Sequence, residues 1–258
     1  MLRIISFAGS FMGEKSHTKR ASDMLAEHVI RKAAEEGIGV SYECITADQL
    51  RIEHCRGCAS CFKTGICPLD RTDDMPLLKQ KLLEADAVFL CTPVYLWDMS
   101  GITKTVIDRL TYWSHRYDLA GKACVTIAST DSSIDPGLED RLKQYMSFLG
   151  LSVADAITVM NYRSPNINRE DEAGPVMDAA AERLIAACKD PASFITEIQE
   201  QLWIGRVRSI KQSVVLKEIA GIEHWDEIKV CLERGVADCG SFAEYVRKVK
   251  RESDGDQL

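Results

Sequence analysis

The chain has 258 residues, 46% of them hydrophobic and 28% charged, and a formal net charge of −7. That length buries one sizeable core, or one core with an appendage, in the composition range of ordinary globular proteins. The acidic surplus argues against a nucleic-acid binder, which needs a basic stripe, and no apolar run is long enough to span a bilayer. Residues 1–6 do not read as a cleavable apolar leader, so a reducing cytoplasmic setting is expected.

In chain order, short β-branched runs alternate with amphipathic stretches, the pattern of a parallel α/β sheet. Residues 2–7 read as a buried strand ending at Gly9 and Ser10, and a helix over 18–36 follows, stopped by Gly37. A second strand is predicted at 40–45. A cysteine-rich loop within 52–74 comes next, where Asp73 or Thr72 is placed to cap a helix running to Leu83. The unbroken apolar run 87–92 predicts a strand covered on both faces. A helix over 100–114, a strand at 123–128, a helix at 138–149, a strand at 153–160 and a helix at 176–188 complete the βα units. Right-handed crossovers then favour a flavodoxin-like three-layer sandwich, with five parallel strands in the order 2-1-3-4-5. In such sheets ligands bind beyond the carboxyl ends of the strands, which directs attention to the loops after strands one, three and four.

Residues 190–258 differ. They are helical in pattern, carry no strand, and end in a polar tail from Ser253 that is expected to lack structure. The expected organisation is an α/β domain over 1–189 and a helical extension over 190–258. Apolar residues recur at helical spacing in the extension: Phe194, Ile198, Leu202; Val214, Leu216, Ile219; Ile228, Leu232. An appendage with no core of its own must pack on the first domain or on another subunit.

Cys55, Cys58, Cys61 and Cys67 place four of the ten cysteines on one short loop, separated by two, two and five residues. Such spacers let neighbouring sulfurs turn inward on one small object, as in C-x2-C-x2-C runs that hold a cubane iron–sulfur cluster, and Pro68 follows the fourth thiol. Zinc more often takes two separated pairs, and free thiols are the third reading. A disulfide framework does not suit a reducing compartment. Cys44, Cys91, Cys124, Cys188, Cys231 and Cys239 are scattered and read mostly as small buried hydrophobes.

The loop after strand one runs from Gly9 through Ser10, Ser16 and His17 to Thr18 and enters a helix directly. Free N–H groups and the macrodipole at a helix N-terminus attract anions, and the hydroxyls add donors suited to a phosphate monoester. Alternatively this is a hydroxyl-rich turn in which Thr18 is an ordinary helix cap. The loop after strand three carries Pro93, Val94, Tyr95, Leu96 and Trp97. Tyr95 and Trp97 could lie against a flat ring, or simply fill space under the loop. His54 and His115 read as surface or supporting residues rather than ligands.

These residues, with Asp73, Asp74 and Met75, the run 85–88, Thr92, and Lys104, Ile107, Asp108 and Arg109, resemble the NAD(P)H-dependent FMN reductase group of flavodoxin-like proteins. Within it, the cysteine loop is similar to that of the iron–sulfur flavoprotein subgroup. The likeness covers roughly residues 1–188. It implies FMN, with the phosphate at Ser10, Ser16, His17 and Thr18, and the ring at Pro93, Val94, Tyr95, Leu96 and Trp97, reaching Ser100. Ser129, Thr130 and Asp131 would give a third contact. It implies a [4Fe–4S] cluster on Cys55, Cys58, Cys61 and Cys67, and a homodimer or homotetramer in which the cysteine loop reaches a neighbouring flavin.

The leading expectation is therefore an oxidoreductase that uses FMN and a [4Fe–4S] cluster. It would move electrons from ferredoxin or NAD(P)H to a small-molecule or protein acceptor, with no nucleic acid or membrane as partner. The flavin would carry the chemistry, so no side chain is named as nucleophile or general base. An FMN-only reductase of quinones, nitro compounds or flavins is the second reading. A non-enzymatic electron carrier that docks a partner enzyme is the third.

Overall fold

A computed structural model describes residues 1–131, 137–160, 170–220 and 225–255. The elements are β1 (Leu2–Ala8), α1 (His17–Glu35), β2 (Val40–Thr46), α2 (Ser60–Thr64), α3 (Met75–Glu84), β3 (Ala87–Tyr95), β4 (Asp98–Met99) and α4 (Gly101–Leu110). They continue with β5 (Ala123–Thr130), α5 (Leu138–Phe148), β6 (Ser152–Met160), α6 (Glu170–Lys189), α7 (Glu197–Ala220), α8 (Trp225–Glu233) and α9 (Phe242–Gly255).

Five parallel strands run in the order β2-β1-β3-β5-β6, which is the expected 2-1-3-4-5 order when parallel strands alone are counted. Alternation along each strand splits the core in two. On one face Ile5, Phe7, Val88 and Leu90 meet Leu78 and Leu82 of α3, Val106 and Leu110 of α4, and Leu142 and Met146 of α5. On the other, Ile4, Ala8, Phe89 and Val125 meet Leu25 and Val29 of α1 and Leu184 of α6. Both faces are thus covered, which is why residues 87–92 of β3 read as an unbroken apolar run. No helix among the described residues is long and apolar enough to cross a membrane.

Several local expectations need correction. β4 was not foreseen; it pairs antiparallel with the end of β3, Val94 opposite Met99 and Tyr95 opposite Asp98. Neither Thr72 nor Asp73 is the N-cap of α3; Asp74 holds that position, although the Asp73 carboxylate accepts from Met75 N–H at 3.2 Å. Ser16, not Thr18, caps α1, its Oγ accepting from Lys19 N–H at 3.2 Å. The polar tail is helical as far as Gly255, because α9 continues through it; residues 256–258 lie outside the described residues.

The extension also differs from its reading. It builds an apolar cluster from Trp203, Ile210, Ile228, Cys231, Phe242, Tyr245 and Val246, to which the α/β part lends Tyr117 and Ala120. The buried face of α7 runs through Gln199, Trp203 and Ile210, one helical position away from the predicted stripe. Ile198, Leu202 and Leu216 are therefore exposed. Gln199 is on the inner face because its Nε2 donates to Ser147 O and Leu151 O, both at 3.1 Å. Ile219 lies where side chains are outside the description.

Candidate functional site

Parallel strands leave their carboxyl ends at one edge, and the loops after β1, β3 and β5 are neighbours there because Ala8 pairs with Cys91 and Pro93 with Ser129. Ser10, Ser16, Thr18, Ser100, Ser129 and Thr130 are all buried at this edge. Thr18 Oγ1 lies 2.6 Å from Ser129 Oγ, joining the loop after β1 to the end of β5. Ser10 Oγ accepts from Met12 N–H at 3.3 Å. Since Ser16 takes the N–H of Lys19, the first-turn N–H groups of His17 and Thr18 are left without an intrahelical partner. Buried hydroxyls thus gather around an open helix N-terminus, an arrangement whose donors suit an anion. His17 and Asp131 are exposed, outside this cluster of buried hydroxyls.

A second hydroxyl group binds that cluster to the next loop. Ser100 Oγ donates to Gly9 O at 2.8 Å and lies 2.9 Å from Thr103 Oγ1. Thr103 Oγ1 donates to Thr92 Oγ1 at 3.1 Å, and Thr92 Oγ1 also accepts from Ser100 N–H at 3.0 Å. A Cβ built on Gly9 would sit 1.9 Å from Thr103 Oγ1, so only glycine permits this approach. Sequence reasoning missed Thr103; its i+3 spacing from the cap Ser100 was the available signal.

Pro93 and Val94 are half-buried, whereas Tyr95, Leu96 and Trp97 project into solvent. Leu96 and Trp97 connect β3 to β4 in a two-residue turn, with φ of 49° and 67°. Positive φ at both positions defines the hairpin turn that normally takes Asn-Gly. Bulky residues there cost about 1–2 kcal/mol each. Leu96 is 99% exposed, so no packing in the described chain offsets that cost. A strained, apolar, uncovered tip beside a hydroxyl cradle is what a flat ring or another macromolecule would cover.

The cysteine loop has a closed neck. Arg51 N–H donates to Asp74 Oδ2 at 2.8 Å and Asp74 N–H returns to Arg51 O at 2.9 Å. Asp73 accepts from Glu53 N–H at 3.0 Å, while Arg109 Nη1 donates to Glu53 O at 2.8 Å and to Asp73. Arg109 Nη2 also reaches Asp70 Oδ1 at 2.7 Å. Burial works against the Asp73 carboxylate, but Arg109 and the N–H groups of Glu53 and Met75 outweigh it and hold its pKa below the ordinary value. His54 bonds Thr105 Oγ1 at 2.8 Å, in keeping with a supporting residue.

The four thiols differ in setting. Cys55 and Cys58 are exposed, Cys61 is half-buried and Cys67 is buried. Hydrogen bonds from the Ser60 hydroxyl and amide lower the Cys58 pKa. Burial raises that of Cys61, helped by the neighbouring Cys67 and Cys55. Among the described residues no three histidine, cysteine or acidic side chains are gathered closely enough to hold a metal. The donor set suits an iron–sulfur cluster, but this arrangement of sulfurs does not. Of the scattered cysteines, Cys91, Cys124 and Cys231 are buried as expected, and Cys44, Cys188 and Cys239 are half-buried.

The sheet order and the hydroxyl-lined edge define a flavodoxin-like α/β protein. The family described as NADPH-dependent FMN reductase matches residues 2–166, and the chain belongs to that family of flavin-dependent oxidoreductases. An iron–sulfur flavoprotein of Archaeoglobus fulgidus is 38% identical over 87 residues, 34% of this chain and 39% of the relative's own length. One from Methanocaldococcus jannaschii is 28% identical over 147 residues, 57% of this chain and 71% of its own. Among solved structures, RosB with a bound 8-demethyl-8-formylriboflavin-5'-phosphate intermediate has a TM-score of 0.52 at 11% identity, covering 93% of this chain and 88% of its own. An apo NADH:FMN oxidoreductase has a TM-score of 0.51 at 18% identity, covering 72% and 90%. At those identities the likeness to solved structures is one of fold.

Proposed function

We propose that this chain is an FMN-dependent oxidoreductase that passes reducing equivalents from NAD(P)H to a small acceptor such as a quinone, nitro compound or flavin. The observation that carries the reading is the 2.6 Å pairing of Thr18 with Ser129, which brings two loops of buried hydroxyls together at the open N-terminus of α1. FMN, when bound, supplies hydride acceptance and one-electron transfer. The chain's residues would hold and orient it: Ser10, Ser16 and Thr18 at the phosphate, with Ser129 and Thr130 beside them. Pro93, Val94, Tyr95 and Trp97 would lie against the ring, with Leu96 at the tip and Ser100 beneath. Ten free cysteines support a reducing, cytoplasmic setting.

A second reading adds a [4Fe–4S] cluster on Cys55, Cys58, Cys61 and Cys67, with ferredoxin as donor. Two observations favour it: the four thiols share one loop, and the matched archaeal relatives are iron–sulfur flavoproteins. The separation of the sulfurs favours the FMN-only reading. A homodimer or homotetramer would cover the exposed tip of Tyr95, Leu96 and Trp97.

Anaerobic purification, FMN, iron and sulfide analysis, and NAD(P)H turnover with quinone acceptors test these together. Bound FMN with sustained turnover and no iron after reconstitution is the expected result. Four irons and four sulfides per chain would replace it with the cluster reading. Bound FMN without turnover would mark a carrier.

A further inference from the structure

The extension lies outside the matched family region, yet its helix α8 packs on α2, the five-residue helix that carries Cys61. A helix that short does not persist by propensity and needs support from its surroundings. The support centres on His115. Its ring stacks obliquely on Phe62 of α2, centroids 4.8 Å apart. Its Nδ1 lies 2.8 Å from Glu227 Oε1 of α8, a residue only 4% exposed. Arg206 of α7 completes the group, donating to Glu227 Oε1 at 2.5 Å and to His115 O at 3.0 Å. Cys231 Sγ donates to the same carbonyl at 3.4 Å.

A second strut runs alongside. Arg116 Nη1 donates to Gly65 O, at the end of α2, at 3.3 Å. Arg234 of the extension holds Arg116 O at 3.1 Å and Asp118 at 2.7 Å. Glu227 is almost wholly buried and its Oε1 meets both Arg206 and His115, so removing it leaves these partners unsatisfied and loosens α7, α8 and His115 from one another.

We propose that the C-terminal extension is the positioning element of the cysteine loop. Through Glu227, His115 and Phe62 it fixes α2, and with it the Cys61 and Cys67 thiols. The proposal is independent of what the thiols carry and of how FMN is held. It makes Glu227 and Phe62 positioning residues rather than catalytic ones.

The chain's own cysteines report the outcome. Iodoacetamide alkylation, resolved by peptide mass, would be followed on the FMN-loaded full chain after chelation, comparing Glu227→Ala and Phe62→Ala with the parent. In Glu227→Ala, Cys61 and Cys67 should react at least about tenfold faster, local opening having become easier, while Cys91 and Cys124 stay protected and FMN affinity is unchanged. Phe62→Ala should in turn accelerate Cys231, since coupling is reciprocal. Acceleration at Cys231 alone in Glu227→Ala, with Cys61 and Cys67 at the parent rate, would overturn the proposal. If core thiols also become reactive in Glu227→Ala, the shape-preserving Glu227→Gln decides by the same comparison.

Discussion

Gly9→Ala should lose FMN affinity by about 100-fold or more, the equivalent of about 2.8 kcal/mol. The added methyl would sit 1.9 Å from Thr103 Oγ1 and 3.0 Å from Ser100 Oγ. Thr103 is fully buried and hydrogen-bonded to Thr92, so it has no free direction in which to swing. Forced overpacking of this kind costs about 1–3 kcal/mol, and the strand end must move to relieve it. Moving Gly9 displaces Ser10 and the N-terminus of α1 from Ser129. Each charge-assisted hydrogen bond then lost at the phosphate costs about 1.5–3 kcal/mol. Thr103→Ala placed on Gly9→Ala removes the clashing hydroxyl and should restore part of the affinity. Fluorescence titration with FMN measures both. Parental affinity in Gly9→Ala would show that this approach does not shape the site.

Arg109→Ala should destabilise the chain by about 3–5 kcal/mol, because removing one partner strands the other charge. The Arg109 and Asp73 side chains are both 0% exposed, and Asp70 also leans on the guanidinium. Arg109→Lys should recover only part of this, since an ammonium cannot reproduce the planar fork that meets Asp73, Asp70 and Glu53 O together. At this chain length the loss corresponds to a fall in Tm of roughly 10 °C. Limited proteolysis should cut first within 54–71, because the clasp closes that neck. The pH dependence has a definite sign. Asp73 has a lowered folded pKa, so its stabilisation is present above its unfolded value of about 3.9 and is lost as pH falls through the folded value. Asp73→Asn should therefore flatten the acid limb of the stability profile. A Tm within a degree of the parent in Arg109→Ala, measured by calorimetry, would contradict the clasp.

Much of the fold was legible because its signals are local. β-branched runs buried on both faces, each followed by an amphipathic stretch, prescribe βα units, and chirality leaves few ways to order them. That Ser10, Ser16 and Thr18 gather near one helix start was legible for the same reason, since they are close along the chain. What escaped reading depends on distant partners. Arg109 looks like any cation on a helix, and only the folded chain brings it to Asp73 and Glu53. The β3–β4 hairpin was hidden because Leu96 and Trp97 contradict the residue preferences of their turn. The inner face of α7 was misplaced because a polar residue, Gln199, is buried on it to satisfy two carbonyls.

A paired titration decides whether a phosphate cradle joins a ring-binding edge in this chain. Flavin-free protein would be titrated with FMN and, separately, with riboflavin, following flavin fluorescence. One FMN should bind per chain, and riboflavin at least about 100-fold more weakly, the worth of the phosphate contacts. Thr18→Ala should narrow that ratio. Equal binding of FMN and riboflavin, or no flavin binding, would contradict such a site.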